Sequence, residues 1–272
     1  MTGFWEMMVA PIAMALVLVA MHSHLGYHVV KRGVIFVDIA LAQMAALGVA
    51  VALLLGGQVG TDRTWAVALA STFAGALLIS GTRSRLERVP QEAYIGIIYA
   101  VSSAGMILVL SGVPHGGDEI RHLLVGALLW VTWPVVIKTA VLYGALGALL
   151  YLWRRPLAQV SRDPEEARAS GLSLMKWDFV FYVILGVVVT SSVQVAGVLL
   201  VFSLLVVPAV MGARLFDGGR RLFAYTLTVG VGAVIVGSAL SYVFDFPTGA
   251  AIVCSFGLFL GVQVVLETVI RR

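Results

Sequence analysis

Nine weakly charged, strongly apolar stretches follow one another along this chain, at about 7–30, 33–56, 64–82, 93–112, 134–153, 178–192, 194–213, 222–244 and 248–270. A helix that crosses the hydrocarbon core of a bilayer needs about 20 mostly apolar residues, so each stretch can span or nearly span. The stretches are too long and too uniformly apolar for strands of a membrane barrel, which are short and alternating. Of the 272 residues, 60% are hydrophobic and only 12% charged, against about 45–50% and 25% in a soluble domain; a water-soluble globule cannot hide that much apolar side chain. Many of the 29 glycines fall inside the stretches, where small residues let membrane helices pack closely. A shorter apolar piece at 122–133 is too brief to cross comfortably. The expected fold is an all-α polytopic helical bundle of about nine spans plus one short or re-entrant helix. It forms a single transmembrane domain over 1–272, and its longest polar segment is 154–177.

The charges orient this bundle. Basic residues cluster in alternate loops: Lys31 and Arg32; Arg83, Arg85 and Arg88; five between Arg154 and Lys176; Arg214, Arg220 and Arg221; Arg271 and Arg272. These make 15 of the 18 basic residues, whereas the opposite loops hold Arg63 and Arg121, and Lys138 sits near a span end. Under the positive-inside rule the N-terminus lies outside and the C-terminus inside, which requires an odd number of crossings. The basic pI of 9.4 is therefore a topology signal, not a mark of nucleic-acid binding. No Lys or Arg precedes the first apolar run, only Glu6, so it reads as a retained span and not a cleaved leader. The single Cys254 forms no internal disulfide.

Several chemistries are excluded. The phosphate-cradling loop GxxxxGK[ST] needs Lys after Gly, but Lys31, Lys138 and Lys176 follow Val30, Ile137 and Met175. There is no HExxH and no GxSxG. The chain itself has no ATP site and no catalytic residues, and reads as a translocation pathway and not an enzyme.

Four segments in order carry a resemblance: "EAYIGIIYAVSSAGMILVLS" at 92–111, "SRDPEEARASGLSLMKWD" at 161–178, "VAGVLLVFSLLVVPAVMGARLF" at 195–216 and "DFPTGAAIV" at 245–253. Together they resemble the membrane permease subunit of the ABC importers for zinc, manganese and iron(II), over about residues 10–270. The resemblance implies a multi-pass homodimeric permease in the cytoplasmic (inner) membrane of a bacterium. It implies two cytoplasmic ABC ATPase subunits that bind the ATP, an extracytoplasmic metal-binding protein that delivers the cargo, and no cofactor held by this chain. Zinc is the first expected cargo, manganese or iron(II) the second. Scarce soft ligands argue against Cu(I).

The inner loop at 154–177 is the candidate coupling element. Asp163 followed by Pro164 reads as a helix start, with Asp capping and Pro in the first turn. Glu165 and Glu166 favour that turn through the helix dipole, and Gly171 reads as the stop. Glu165-Glu166-Ala167 followed by Gly171 resembles the spacing of importer coupling helices, which implies ATPase docking through Asp163, Glu165, Glu166 and Gly171. Pro208, inside the apolar stretch 194–213, predicts a helix break, either a static kink or a flexing point for alternating access.

Asp38 is the carboxylate set well inside a span, about 7 Å past its start, where a charge is costly and points to function by default. The resembled family typically carries Asp and then, four residues later, His on this helix. Alignment on Leu47-Gly48-Val49 puts Gln43 at the His position and Ile39 at the Asp position. Asp38 and Gln43 then splay by about 140°, so at least one ligand has changed. In the first span His22, His24 and His28 lie in the inner half, His24 and His28 on one face. A metal site of His22 or His24 with Asp38 and Gln43 is the expected one. The competing reading gives the histidines helix–helix hydrogen bonds and pairs Asp38 with a histidine or with Arg32. The outer loop "HGGDEIRH" at 115–122 gathers four further potential ligands, His115, Asp118, Glu119 and His122. Two other functions fit a similar bundle: an ABC permease for a metal chelate or vitamin, with a wide cavity lacking Asp and His, and a secondary transporter, with more intramembrane acids and no ATPase.

Overall fold

Each apolar stretch folds as helix in the computed structural model, which describes residues 2–82, 89–113, 126–217 and 219–270, with side chains from residue 7 onward. The helices are α1 (Thr2–Arg32), α2 (Val37–Leu54), α3 (Asp62–Thr82), α4 (Gln91–Leu110), α5 (Trp133–Leu152), α6 (Arg154–Arg162), α7 (Pro164–Ala169), α8 (Leu174–Ala213), α9 (Gly219–Phe244) and α10 (Thr248–Ile270), with one 3-10 turn at Leu128–Trp130. Among the described residues there is no strand. Among the described residues, eight helices are long and apolar enough to cross a membrane.

All nine apolar stretches are recovered, but 178–192 and 194–213 fall within the 40-residue run α8. A straight helix of that length would reach about 60 Å, twice the hydrocarbon thickness. The run is not straight: Gly197 has φ 76° and ψ 159°, outside helical backbone. The non-helical backbone of the run is at Gly197, and Pro208 lies inside the helical segment that follows it. Proline's fixed φ near −65° is compatible with a helix, at the loss of one hydrogen bond; a positive φ of this kind is open only to glycine without a Cβ penalty.

The chain divides into two compact units, one of residues 1–30, 124–144 and 194–272, the other of 31–123 and 145–193. In the second unit α2 packs against α3 and α4. Small residues bring these helices together: a Cβ on Gly48 would stand 2.7 Å from the Ala68 Cα. Apolar contacts among Ala46, Ala50, Met106 and Leu110 fill the space between α2 and α4. Thr72 of α3 and Thr190 of α8 share a buried 2.9 Å hydrogen bond.

In the first unit α9 packs against α10, with Gly237 directly over the Ile252 backbone. The short piece at 122–133, expected as a re-entrant helix, is described from residue 126 and forms only the 3-10 turn. It docks on the break in α8. The Ala127 amide donates to the Val195 carbonyl at 2.9 Å, satisfying an acceptor at the interrupted helix end. Gly126, with φ 73°, lies so close that a Cβ there would stand 2.3 Å from the Ala196 carbonyl carbon and 2.4 Å from the Gly197 nitrogen. The expected short element is therefore a backbone clasp on the break.

Candidate functional site

α2 is buried along most of its length in the second unit, and it carries both polar residues singled out in that span. Asp38 is 1% exposed and Gln43 4%. Among the described residues nothing donates a hydrogen bond to Asp38 Oδ1 or Gln43 Oε1. Buried polar oxygens are almost always partnered, because an unsatisfied one forfeits its hydration without return. Two orphan acceptors on one buried membrane helix are thus an exception that calls for a ligand able to sit against oxygen. Both atoms accept and neither Asp nor the amide oxygen of Gln donates, which suits a cation.

The pairing of Asp38 with Arg32 is not what the structure builds. The Arg32 guanidinium, fully buried, binds the equally buried Asp178 of α8 through Nη1 and Oδ1. Its Nε donates to the Ser161 Oγ of α6 at 2.9 Å, and its plane lies over the Phe181 ring, 4.3 Å from the centroid. Asp178 stands at the start of a predicted span, and the sequence pattern did not single it out. A charge at the foot of a helix reads as solvated until the fold shows it enclosed.

The first-span histidines belong to the first unit. His22 is fully buried and donates from Nδ1 to the Leu18 carbonyl at 2.8 Å, within its own helix. That bond fixes the tautomer with the proton on Nδ1 and the lone pair on Nε2. The His22 ring also faces Tyr143, with 6.3 Å between centroids. His24 stacks edge-on with His28 at 5.5 Å and with Phe223 at 6.0 Å, so the shared face of His24 and His28 is real. Among the described residues no group of three or more His, Cys, Asp or Glu side chains gathers to hold a metal ion. The outer cluster of His115, Asp118, Glu119 and His122 lies outside the described residues, as do Arg83, Arg85, Arg88, Arg121, Arg271 and Arg272.

The inner loop folds into two short helices, α6 and α7, separated only by Asp163. The Asp163 carboxylate accepts from the Glu166 amide at 2.9 Å, with Pro164 in the first turn. At the far end the Leu172 amide bonds the Ala167 carbonyl and the Gly171 amide bonds that of Arg168, the paired closure of a Schellman end, made with Gly171 at φ 81°. Ala167 is buried, whereas Glu165 and Glu166 are exposed. Gln159 reaches across from α6 to Ser170 at 3.1 Å. The loop is a stapled pair of helices with an acidic outer face, where an unstructured linker would have none of these ties.

The chain matches the ABC 3 transport family over residues 4–266. It is 28% identical over 179 residues to the manganese transport system membrane protein MntB of Synechocystis sp., a match covering 66% of this chain and 58% of that relative's length. It is 24% identical over 251 residues to a probable iron transport system membrane protein of Haemophilus influenzae, covering 92% of this chain and 89% of the relative. Its fold superposes on a chain of PsaBC from Streptococcus pneumoniae in complex with Fab with a TM-score of 0.80 and 20% identity, covering 96% of this chain and 94% of the other.

Proposed function

We propose that this chain, which belongs to the ABC 3 transport family, is the membrane permease of an ATP-driven importer that carries a divalent transition metal across a bacterial cytoplasmic membrane. ATP is bound by partner ATPase subunits that dock on the α6–α7 pair through Asp163, Glu165, Glu166 and Gly171. A second copy of the permease and an extracytoplasmic metal-binding protein complete the machine.

The observation that carries this reading is the pair of orphan acceptors on α2, Asp38 Oδ1 and Gln43 Oε1. A hydrated cation entering a bilayer loses water, and a negative group in a low-dielectric setting offsets that loss far better than it would in bulk water. Asp38 supplies the charge and Gln43 a neutral oxygen. The contacts must be few and weak, since a closed three- or four-ligand site would retain the ion. Oxygen-dominated contacts suit manganese better than zinc, which favours nitrogen and sulfur, and the relatives named above are manganese and iron transport proteins. Manganese and iron(II) therefore come before zinc, reversing the order expected from sequence.

The test is uptake of radioactive manganese, iron(II) and zinc by liposomes holding the full importer. Asp38→Ala is expected to lower manganese uptake at least about tenfold, as loss of one charge-assisted contact would, with the complex still assembled. Asp38→Asn should fail alike, since it keeps the shape and loses the charge. Gln43→His should raise zinc uptake relative to manganese. Wild-type uptake of all three metals by Asp38→Ala would remove Asp38 from the pathway.

A further inference from the structure

The Arg32 cluster lies outside the proposed transport site, and both charged side chains of its ion pair are fully buried. A buried ion pair is usually no more stabilising than apolar residues of the same volume, because both charges give up their hydration. Stability alone therefore does not explain it. What it does provide is geometry. One planar guanidinium is held at three points: Asp178 of α8, Ser161 of α6 and the face of Phe181. Arginine's rigid fork makes such contacts only in one arrangement, and any slip of one helix exposes a buried charge without its partner.

We infer that Arg32 is a positioning residue that transmits movement of the coupling loop to α1 and α8. This rests on the reading of α6–α7 as the ATPase-docking element. Ser161 sits two residues before Asp163, the cap of α7. Its hydroxyl donates to the Leu157 carbonyl at 2.7 Å and accepts from Arg32, using its single proton and one lone pair. α6 is anchored by buried Leu157 and Val160 and stapled to α7 through Gln159 and Ser170. A push on the acidic face of α7 therefore turns a stiff two-helix lever whose inner point is Ser161. From there the contact passes to Arg32, the last residue of α1, and to Asp178, in the second turn of α8. α1 carries His22 and His24, and α8 carries the Gly197 break, so the strut joins the docking loop to the two helices whose rearrangement a transport cycle requires.

The experiment measures manganese uptake and ATP hydrolysis together in liposomes containing the whole importer, and takes their ratio. Ser161→Ala removes the hydroxyl that links α6 to Arg32 and leaves both members of the Arg32–Asp178 pair in place. The double variant Arg32→Gln with Asp178→Asn removes both charges at once, leaving no lone buried ion. Both are expected to assemble with the ATPase and hydrolyse ATP, while manganese moved per ATP falls by about tenfold, the equivalent of one hydrogen bond to a charged group. A merely structural role would lower both activities together through lost complex and leave the ratio at its wild-type value; that result overturns the strut. If the double variant is not recovered as complex, the ratio in Ser161→Ala decides alone. Failure of the wild-type complex to move manganese on ATP would instead sink the function proposed above, and the strut with it.

Discussion

Replacing Gly126 by alanine separates two kinds of glycine requirement that the fold combines in one place. Gly126 has φ 73°, and Gly60, in the turn before α3, has φ 80°. Both substitutions place an L-residue in the left-handed region, at about 1–2 kcal/mol. Both recover roughly 0.4–1 kcal/mol by stiffening the unfolded chain. They differ in what the new methyl meets. At Gly60 nothing lies within 4 Å, so Gly60→Ala should destabilise by about 0–1.6 kcal/mol. At Gly126 the methyl would be driven to 2.3 Å from the Ala196 carbonyl carbon and 2.6 Å from its oxygen. These are backbone atoms that no rotamer change can move aside. The clasp must open, adding overpacking strain of about 1–3 kcal/mol and forfeiting the Ala127–Val195 hydrogen bond, about 1 kcal/mol. Gly126→Ala should therefore lie roughly 2–4 kcal/mol below Gly60→Ala, a melting temperature lower by about 4–16 °C for a chain of this size. Thermal unfolding of the two purified variants in the same detergent measures the difference. Melting temperatures within about 2 °C of one another would show that the 126–131 segment does not press on the α8 break.

Two further outcomes are expected. Glu166→Arg, on the exposed face of α7, should abolish uptake and loosen the ATPase while membrane insertion is unchanged; Gly171→Pro should do the same by removing the positive φ and the amide that closes the helix, and normal transport in both variants would free the loop from any docking role. In a Cys254→Ser background, Ala169→Cys and Asp217→Cys, which flank α8, should label from the cytoplasmic side and Gln58→Cys from the outside. Labelling of Ala169→Cys and Asp217→Cys from opposite faces would mean that α8 crosses once, and the expected nine crossings would be lost.

Helix existence was legible because each apolar run is long and bounded by charge or turn residues, as at Lys31–Gly33 between α1 and α2. The same physics explains the place where reading failed. At the junction Thr190, Ser191, Ser192 and Gln194 are polar but none is charged, so the sequence marks a boundary only weakly and shows mainly that a run of 40 residues is too long for one crossing. The residue that breaks it is Gly197, one of many glycines in apolar surroundings, and what makes it special is a backbone angle and a neighbour, Gly126, 71 positions earlier. Proline at 208 is the louder signal in a sequence, yet its ring is compatible with the helix that contains it. The cap, first-turn acids and Gly stop of α7 were readable because capping is local: donor and acceptor lie within a few residues, as in the Asp163–Glu166 bond.

Charge burial in the second unit separates what periodicity could not. Asp38 and Asp178 are both buried carboxylates on long apolar helices, and the sequence drew attention to Asp38 alone because its position within a span was plain. Arg32, six residues before Asp38, looks like its natural partner in one dimension. In the fold it binds Asp178, 146 positions away. The consequence is a division of roles that follows from pairing. Asp178 is neutralised by a guanidinium held on three sides, so it is unsuited to meet a passing cation and well suited to fix helices in register. Asp38 keeps an oxygen without a donor, so its attraction for a cation is not already spent on a neighbour. In the fold the arginine pairs with Asp178, and among the described residues the Asp38 Oδ1 of α2 is left without a donor.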